Sequence, residues 1–193
     1  VNPHGLILAS ASPRRRELLT YAGLAFQVAP ADVDESIHSG EAAADYARRM
    51  AGHKAEAVAP LWPDHVVLTA DTVVTIDGAV LGKPENAAQA RQTLSRLSGR
   101  EHEVMTAFSL VHTAAGRTHL DHVVTRVGFR RLTVAQIDAY IASGEVWDKA
   151  GAYGIQSLGA GLTTMVHGSY TNVVGLPLDE VLNALASMGL HAP

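Results

Sequence analysis

Short continuous apolar runs alternate along this chain with longer stretches in which apolar residues recur every three or four positions. The first pattern reads as strands and the second as amphipathic helices. Leu6–Ala9 is a short buried strand, and Arg14–Ala22 a helix with Leu18, Leu19 and Ala22 on one face and Gly23 as its stop. Phe26–Ala29 alternates as a strand and ends at Pro30. Glu41–Ala59 is a long helix whose apolar stripe runs through Ala43, Tyr46, Ala47, Met50, Ala57 and Val58. Val66–Ala70 is near-continuously apolar, the signature of a strand covered on both faces. Asp71 interrupts it before Thr72–Ile76, which predicts a carboxylate at a strand end. Asp77-Gly78 is a hairpin signal returning through Ala79–Leu81. Glu85–Leu97 is a helix with Ala90, Leu94 and Leu97 inward. His102–Thr113 and Arg117–Phe129 are long strands joined at Ala114-Ala115-Gly116, and Thr133 caps a helix ending near Ser143-Gly144. A last hairpin pairs Met165–Tyr170 with Thr171–Val174, and Asp179–Met188 closes the chain. No repeat or linker interrupts the pattern. The expectation is one α/β domain over residues 1–193, with room for two lobes around a cleft.

Composition narrows the class. The 193 residues, 47% hydrophobic and 18% charged, can bury a sizeable core, but with only 5% aromatics the interior must be filled largely by small aliphatics such as alanine. A net charge of −4 argues against general nucleic-acid affinity. The lack of cysteine excludes disulfides, thiolate nucleophiles and cysteine metal sites. No apolar run has the length of a membrane span, and Val1–Gly5 carries no signal pattern, so a cytoplasmic protein is expected.

Candidate chemistry begins at Ser10-Ala-Ser-Pro-Arg-Arg-Arg16. Ser12 before Pro13 is a helix start, with the serine oxygen as cap. The first helical turn favours carboxylates, yet it holds Arg14, Arg15 and Arg16. Either the turn is a solvated basic surface, or backbone N–H groups, serine hydroxyls and guanidinium groups cradle a polyphosphate. Asp32-Val-Asp-Glu35 is an exposed loop or a carboxylate set near a cation. Lys54 falls four residues after Met50, on the buried stripe, where it either snorkels outward or points into an anionic pocket; His53 faces elsewhere and is exposed. Asp71 is a turn aspartate or a catalytic acid or base. Lys83 is stiffened by Pro84, and Gln156, in the glycine-rich Asp148–Gly161 stretch, has the amide needed to read a base edge. His119 and His122 are spaced so that a strand points them to opposite faces, against a metal pair.

Taken together these stretches resemble the Maf family of nucleoside triphosphate pyrophosphatases, and within it the branch acting on dTTP and UTP. The resemblance rests on Leu8–Arg15, Asp34-Glu35, Lys54-Ala55, Ala70–Thr72, Gly82–Pro84, Leu97–Gly99, Asp148–Gln156 and Val174–Pro177, in family order from residue 6 to about 188. One departure is Ser157, where glycine is expected. The resemblance implies a mixed twisted sheet bent around a central cleft with flanking helices, commonly a homodimer, and a divalent cation, Mg²⁺ or Mn²⁺. It implies hydrolysis between the α- and β-phosphates of a nucleoside triphosphate. Ser10, Arg14 and Arg15 correspond to the phosphate loop. Glu35, Lys54, Asp71 and Lys83 match acidic and basic site positions, with Asp71 as proton acceptor; Glu35 is the first choice as metal ligand, because hard cations prefer oxygen donors. Asp71 as a metal ligand is the alternative. Arg14, Thr72 and Gln156 match positions that set the pyrimidine preference. Two other readings stand beside it: a pyrophosphatase for a modified guanosine, cytidine or deaminated purine nucleotide, and a nucleotide-binding regulator of cell division without essential turnover. A P-loop is excluded by sequence.

Overall fold

Where a run of β-branched and aliphatic residues is unbroken, its strand is buried on both sides, and this governs the sheet. The computed structural model describes residues 5–192; Val1–His4, which carry most of the stretch read for a signal pattern, and Pro193 lie outside the described residues. In chain order the elements are β1 (Leu6–Leu8), α1 (Pro13–Tyr21), β2 (Phe26–Val28), α2 (Ala43–Val58), β3 (Val66–Ile76), β4 (Ala79–Leu81), α3 (Ala87–Leu97), β5 (Glu101–His112), β6 (Arg117–Phe129), α4 (Val134–Ala142), β7 (Thr163–His167), α5 (Tyr170–Val174) and α6 (Leu178–Ser187). The sheet runs β2-β1-β3-β5-β6-β7, with β4 pairing β3 off that path. It is mixed: β1 is parallel to both neighbours, with Leu6 opposite Phe26 and Val66, while β4 is antiparallel to β3 and β7 to β6. A mixed sheet with flanking helices is thus the fold class.

Three expectations change. β3 does not stop at Asp71 but runs through it to Ile76, so the carboxylate sits within a strand. Burial explains this: ten of its eleven positions are buried, and Thr72 is half-buried, so breaking the ladder would strand backbone polar groups. Ser12 holds the N-cap position, but its side chain makes no capping bond. Its backbone N–H donates to the Ser10 hydroxyl at 3.3 Å. Thr171–Val174 is part of helix α5 rather than a strand. The Ser169 hydroxyl accepts from the Asn172 N–H at 3.2 Å, a start signal masked by the alternating residues that follow. By contrast, Thr133 and Gln136 form the reciprocal cap of α4, and Asp77-Gly78 turns with φ of 53° and 74°.

The chain forms two compact units. Among the described residues, unit 1 comprises 5–71, 106–123 and 175–192, and unit 2 comprises 72–105 and 124–174. In unit 1, Ile7, Ala9, Val58, Ala59 and Val67 form one apolar cluster. Ala47, Ala51, Ala55 and Ala70 are also buried, so alanine does fill much of the interior. In unit 2, α3 packs on α4 over Ala90, Leu94, Leu97, Ile137 and Ile141, together with Phe129 and Tyr153.

That second core also holds His102, 3% exposed, whose Nε2 lies 2.7 Å from the Tyr153 hydroxyl. Burial holds its pKa down at about 4, against an ordinary 6.5. The unfolded chain therefore takes up this proton before the folded one does, and stability is lost as pH falls from 6.5 towards 4. In thermal melts across that window, His102→Gln is expected to show a shallower decline in Tm than the parent. Parallel declines would remove His102 from the acid response.

Candidate active site

The site in unit 1 is built by α2 lying across one face of β3. Residues 67, 69, 71, 73 and 75 share a strand face. Thr69, fully buried, donates its hydroxyl to the Ala51 carbonyl at 2.7 Å. Two residues further along β3 and three further along α2, Lys54 Nζ meets Asp71 Oδ1 at 2.7 Å. These are successive rungs of one helix–strand contact. They answer the question left by the sequence: Lys54 does not snorkel. It is 8% exposed and Asp71 9% exposed, so both ends of the pair are withdrawn from water. The same ammonium lies 2.7 Å from Oε1 of Glu35, whose side chain is half exposed. One cation thus holds two carboxylates, bringing their oxygens within twice that distance of each other. The Asp32–Glu35 cluster divides accordingly: Glu35 turns to Lys54, whereas Asp34 accepts from the N–H and hydroxyl of Ser36, bonds that lower its pKa.

Arg15 joins this arrangement from α1. Its Nε donates to the Gly175 carbonyl at 2.8 Å, and its Nη1 to Ser10 Oγ at 3.0 Å and the Ala70 carbonyl at 2.8 Å. Burial pulls its pKa down; Asp71 opposes that most strongly, Arg14 adds to it, and Glu35 opposes it. A guanidinium stays protonated throughout. Arg15 therefore ties the loop after β1 to β3 beside Asp71, with Ser10, 7% exposed, as the hinge of the contact. Arg14 is half-buried, while Arg16 points to solvent. The arginine triplet consequently separates into an anchored guanidinium beside Asp71, a half-buried neighbour and a solvated residue.

Unit 2 holds the remaining expected residues. Thr72 follows Asp71 along β3 and takes the opposite face by strand alternation. Lys83 is exposed after β4, and Gln156 is half-buried in the segment between α4 and β7.

Sequence reasoning missed Tyr46. In sequence it is one position of the apolar stripe, yet its hydroxyl donates to the Glu35 carbonyl at 2.9 Å. Burial, with Asp71 and Glu35 adding, pushes its pKa up to about 12, so the phenol keeps its proton and holds the Glu35 backbone. The available signal was general: a buried tyrosine hydroxyl needs a partner. The Gly175 and Ala70 carbonyls that seat Arg15 had no signal at all, being backbone groups.

Among the described residues no group of three or more His, Asp or Glu side chains is placed to hold a metal ion. Glu35 and Asp71 do converge on one cation, and a pair of oxygen donors suits Mg²⁺ or Mn²⁺ when substrate phosphates and water complete the shell. Nor is any described helix long and apolar enough to cross a membrane.

A mixed α/β fold with a basic helix start and a buried lysine bridging one buried and one half-exposed carboxylate defines a protein equipped for polyanion chemistry. The family model described as Maf-like protein matches residues 5–188, and the chain belongs to that family. A dTTP/UTP pyrophosphatase of Syntrophus aciditrophicus is 48% identical over 184 residues, 95% of this chain and 90% of its own length. One from Bordetella parapertussis is 50% identical over 202 residues, covering 100% of this chain and 96% of that protein. Among solved structures, a HAM1 protein from Coxiella burnetii shares the fold with a TM-score of 0.56 at 16% identity, over 95% of this chain and 99% of the other.

Proposed function

We propose that the protein is a nucleoside triphosphate pyrophosphatase acting on dTTP and UTP, a cytoplasmic enzyme of nucleotide-pool housekeeping that works as a single domain and a homodimer. The observation that carries the reading is Lys54 bridging the buried Asp71 and the half-exposed Glu35 beside Arg15. A site that only bound polyanions would gain nothing from a buried carboxylate, whereas hydrolysis needs a group that accepts a proton. The names of relatives about half identical over nearly the full chain support the substrate.

In this reading a water oxygen bonds to the α-phosphorus, its proton passes to Asp71, and the bridging oxygen leaves with pyrophosphate, giving the nucleoside monophosphate. Lys54 orients the Asp71 carboxylate and faces the negative charge that accumulates on the phosphoryl oxygens. Ser10, Arg14 and Arg15 receive the phosphates, and Lys83 adds a further cation for them. Glu35 would hold a divalent cation, Mg²⁺ or Mn²⁺, whose contribution when bound is to neutralise phosphate charge; Asp71 as a metal ligand is the alternative to its role as proton acceptor. Arg14, Thr72 and Gln156 set base preference.

The test is a panel of canonical and modified nucleoside triphosphates with Mg²⁺ or Mn²⁺, products separated and identified. Thymidine and uridine nucleotides are expected to give the monophosphate and pyrophosphate fastest. Release of orthophosphate, or a purine or cytidine preference, would overturn the assignment, and binding without turnover would favour a regulatory role. In Gln156→Ala the ratio of kcat/KM between dTTP and the poorer bases is expected to fall about tenfold, from the loss of hydrogen bonds to the base, with kcat on dTTP changed far less. An unaltered ratio would take Gln156 out of base reading.

A further inference from the structure

The segment that carries Gln156 is pinned on both sides of it, and by the same pair of residues. The Gly154 N–H, two residues before Gln156, donates to the Tyr140 hydroxyl at 3.2 Å. Tyr140 in turn donates to Glu145 Oε2 at 3.4 Å. The other carboxylate oxygen, Oε1, accepts from the N–H of Leu158 at 3.4 Å, two residues after Gln156. A third anchor lies one residue upstream: Tyr153, 5% exposed, reaches His102 through its hydroxyl and packs edge-on against Phe129 at 4.6 Å between ring centroids.

Beside the first anchor in the chain and between the other two the backbone is held in conformations that L-residues disfavour. Ala152 has φ of 59° and Ser157 φ of 53°, and neither is glycine. Such residues persist only where the surroundings over-determine them, and they cluster at sites where a side chain must be aimed. Close packing adds to the constraint: a Cβ on Gly159 would lie 1.8 Å from the Gly154 carbonyl oxygen. The cost of the arrangement is borne by backbone and by buried hydroxyls, none of which the proposed chemistry uses.

We propose that Tyr140 and Glu145, with Tyr153, are positioning residues for substrate selection: they fix the Gly154–Leu158 turn so that the Gln156 amide meets the base in one orientation. This rests on the reading of Gln156 as the base-reading residue and deepens it. Preorganising a recognition group lowers the ordering cost of binding the matching base and withholds that gain from the others.

A double-mutant cycle on the intact protein tests it, with kcat/KM measured for dTTP, UTP, CTP and dGTP. Tyr140→Phe keeps the ring and removes the hydroxyl; Tyr153→Phe does the same at the second anchor. Each is expected to lower the dTTP-to-CTP and dTTP-to-dGTP ratios about threefold to tenfold, the scale of one lost hydrogen bond, through KM rather than kcat. In a Gln156→Ala background the same substitutions are expected to lower the ratios no further, because they act through Gln156. A merely structural role would reduce all four rates in parallel and add to Gln156→Ala. Ratios kept in both tyrosine variants while Gln156→Ala loses them would overturn the positioning assignment alone. Ratios kept in Gln156→Ala as well would overturn it together with the base-reading role. Should one tyrosine variant melt too low to assay, the other and Glu145→Gln read out the same cycle.

Discussion

Asp71→Asn is expected to abolish turnover, lowering kcat by about 10²–10⁴-fold, while leaving triphosphate binding intact. The substitution is nearly isosteric. Its amide oxygen can still accept from Lys54 Nζ, now 2.7 Å from Oδ1, so the helix–strand contact survives. What is lost is the ability to take a proton. Removing one negative charge near Arg15 and Lys54 also favours a polyanion, so affinity for dTTP is expected to hold or rise. Pyrophosphate release and calorimetric binding of dTTP separate the two effects. A rate within tenfold of the parent would exclude Asp71 as the proton acceptor. Loss of binding together with rate would make it a binding group instead.

Lys54→Met is expected to damage both activity and stability. Breaking a buried ion pair from one side leaves an uncompensated charge, at a cost on the order of 3 kcal/mol. The cost falls mainly on Asp71, because Glu35 is half exposed and water screens it. Denaturant midpoints measure it, and a second substitution checks the cause. Adding Asp71→Asn to Lys54→Met removes the stranded charge, so the double variant is expected to be more stable than Lys54→Met alone. Additive losses would mean that the ammonium matters through its packing and not through this carboxylate. Turnover is expected to drop more than a hundredfold in Lys54→Met, since its ammonium orients the proton acceptor and faces the developing charge.

Much of this arrangement was legible in local pattern. Lys54 was conspicuous because a lysine four residues after Met50 on an apolar stripe must be paired or must escape, and the helix geometry admits few alternatives. Asp71 was conspicuous as a lone carboxylate between β-branched runs. Its context was misread: a charge in a strand looks like a strand end until a partner is in view. Here that partner comes from α2, seventeen positions earlier in the chain. Ser12 shows the reverse. Its sequence context is a good cap, but the neighbouring Ser10 hydroxyl already serves the Ser12 N–H and Arg15. Ser157, which stands where the family resemblance calls for glycine, sits at a φ of 53°, a conformation glycine adopts without strain and serine adopts at a backbone cost.

By itself the sequence determined most of the elements, the α/β class, the inward faces of α2 and α3, and the short list of residues able to do chemistry on a polyanion. These depend on periodicity, on capping and on the expense of burying a charge, all of which act over one or two turns of chain. Only the tertiary structure decided which groups meet: that Lys54 holds Asp71 and Glu35 at once, that Arg15 is seated by the Gly175 and Ala70 carbonyls, and that Tyr140 and Glu145 hold the Gln156 segment from its two sides. The reason is physical. Ion pairing and hydrogen bonding act over a few ångströms in space, and backbone carbonyls carry no residue identity, so no spacing along the chain can announce which of them will become partners.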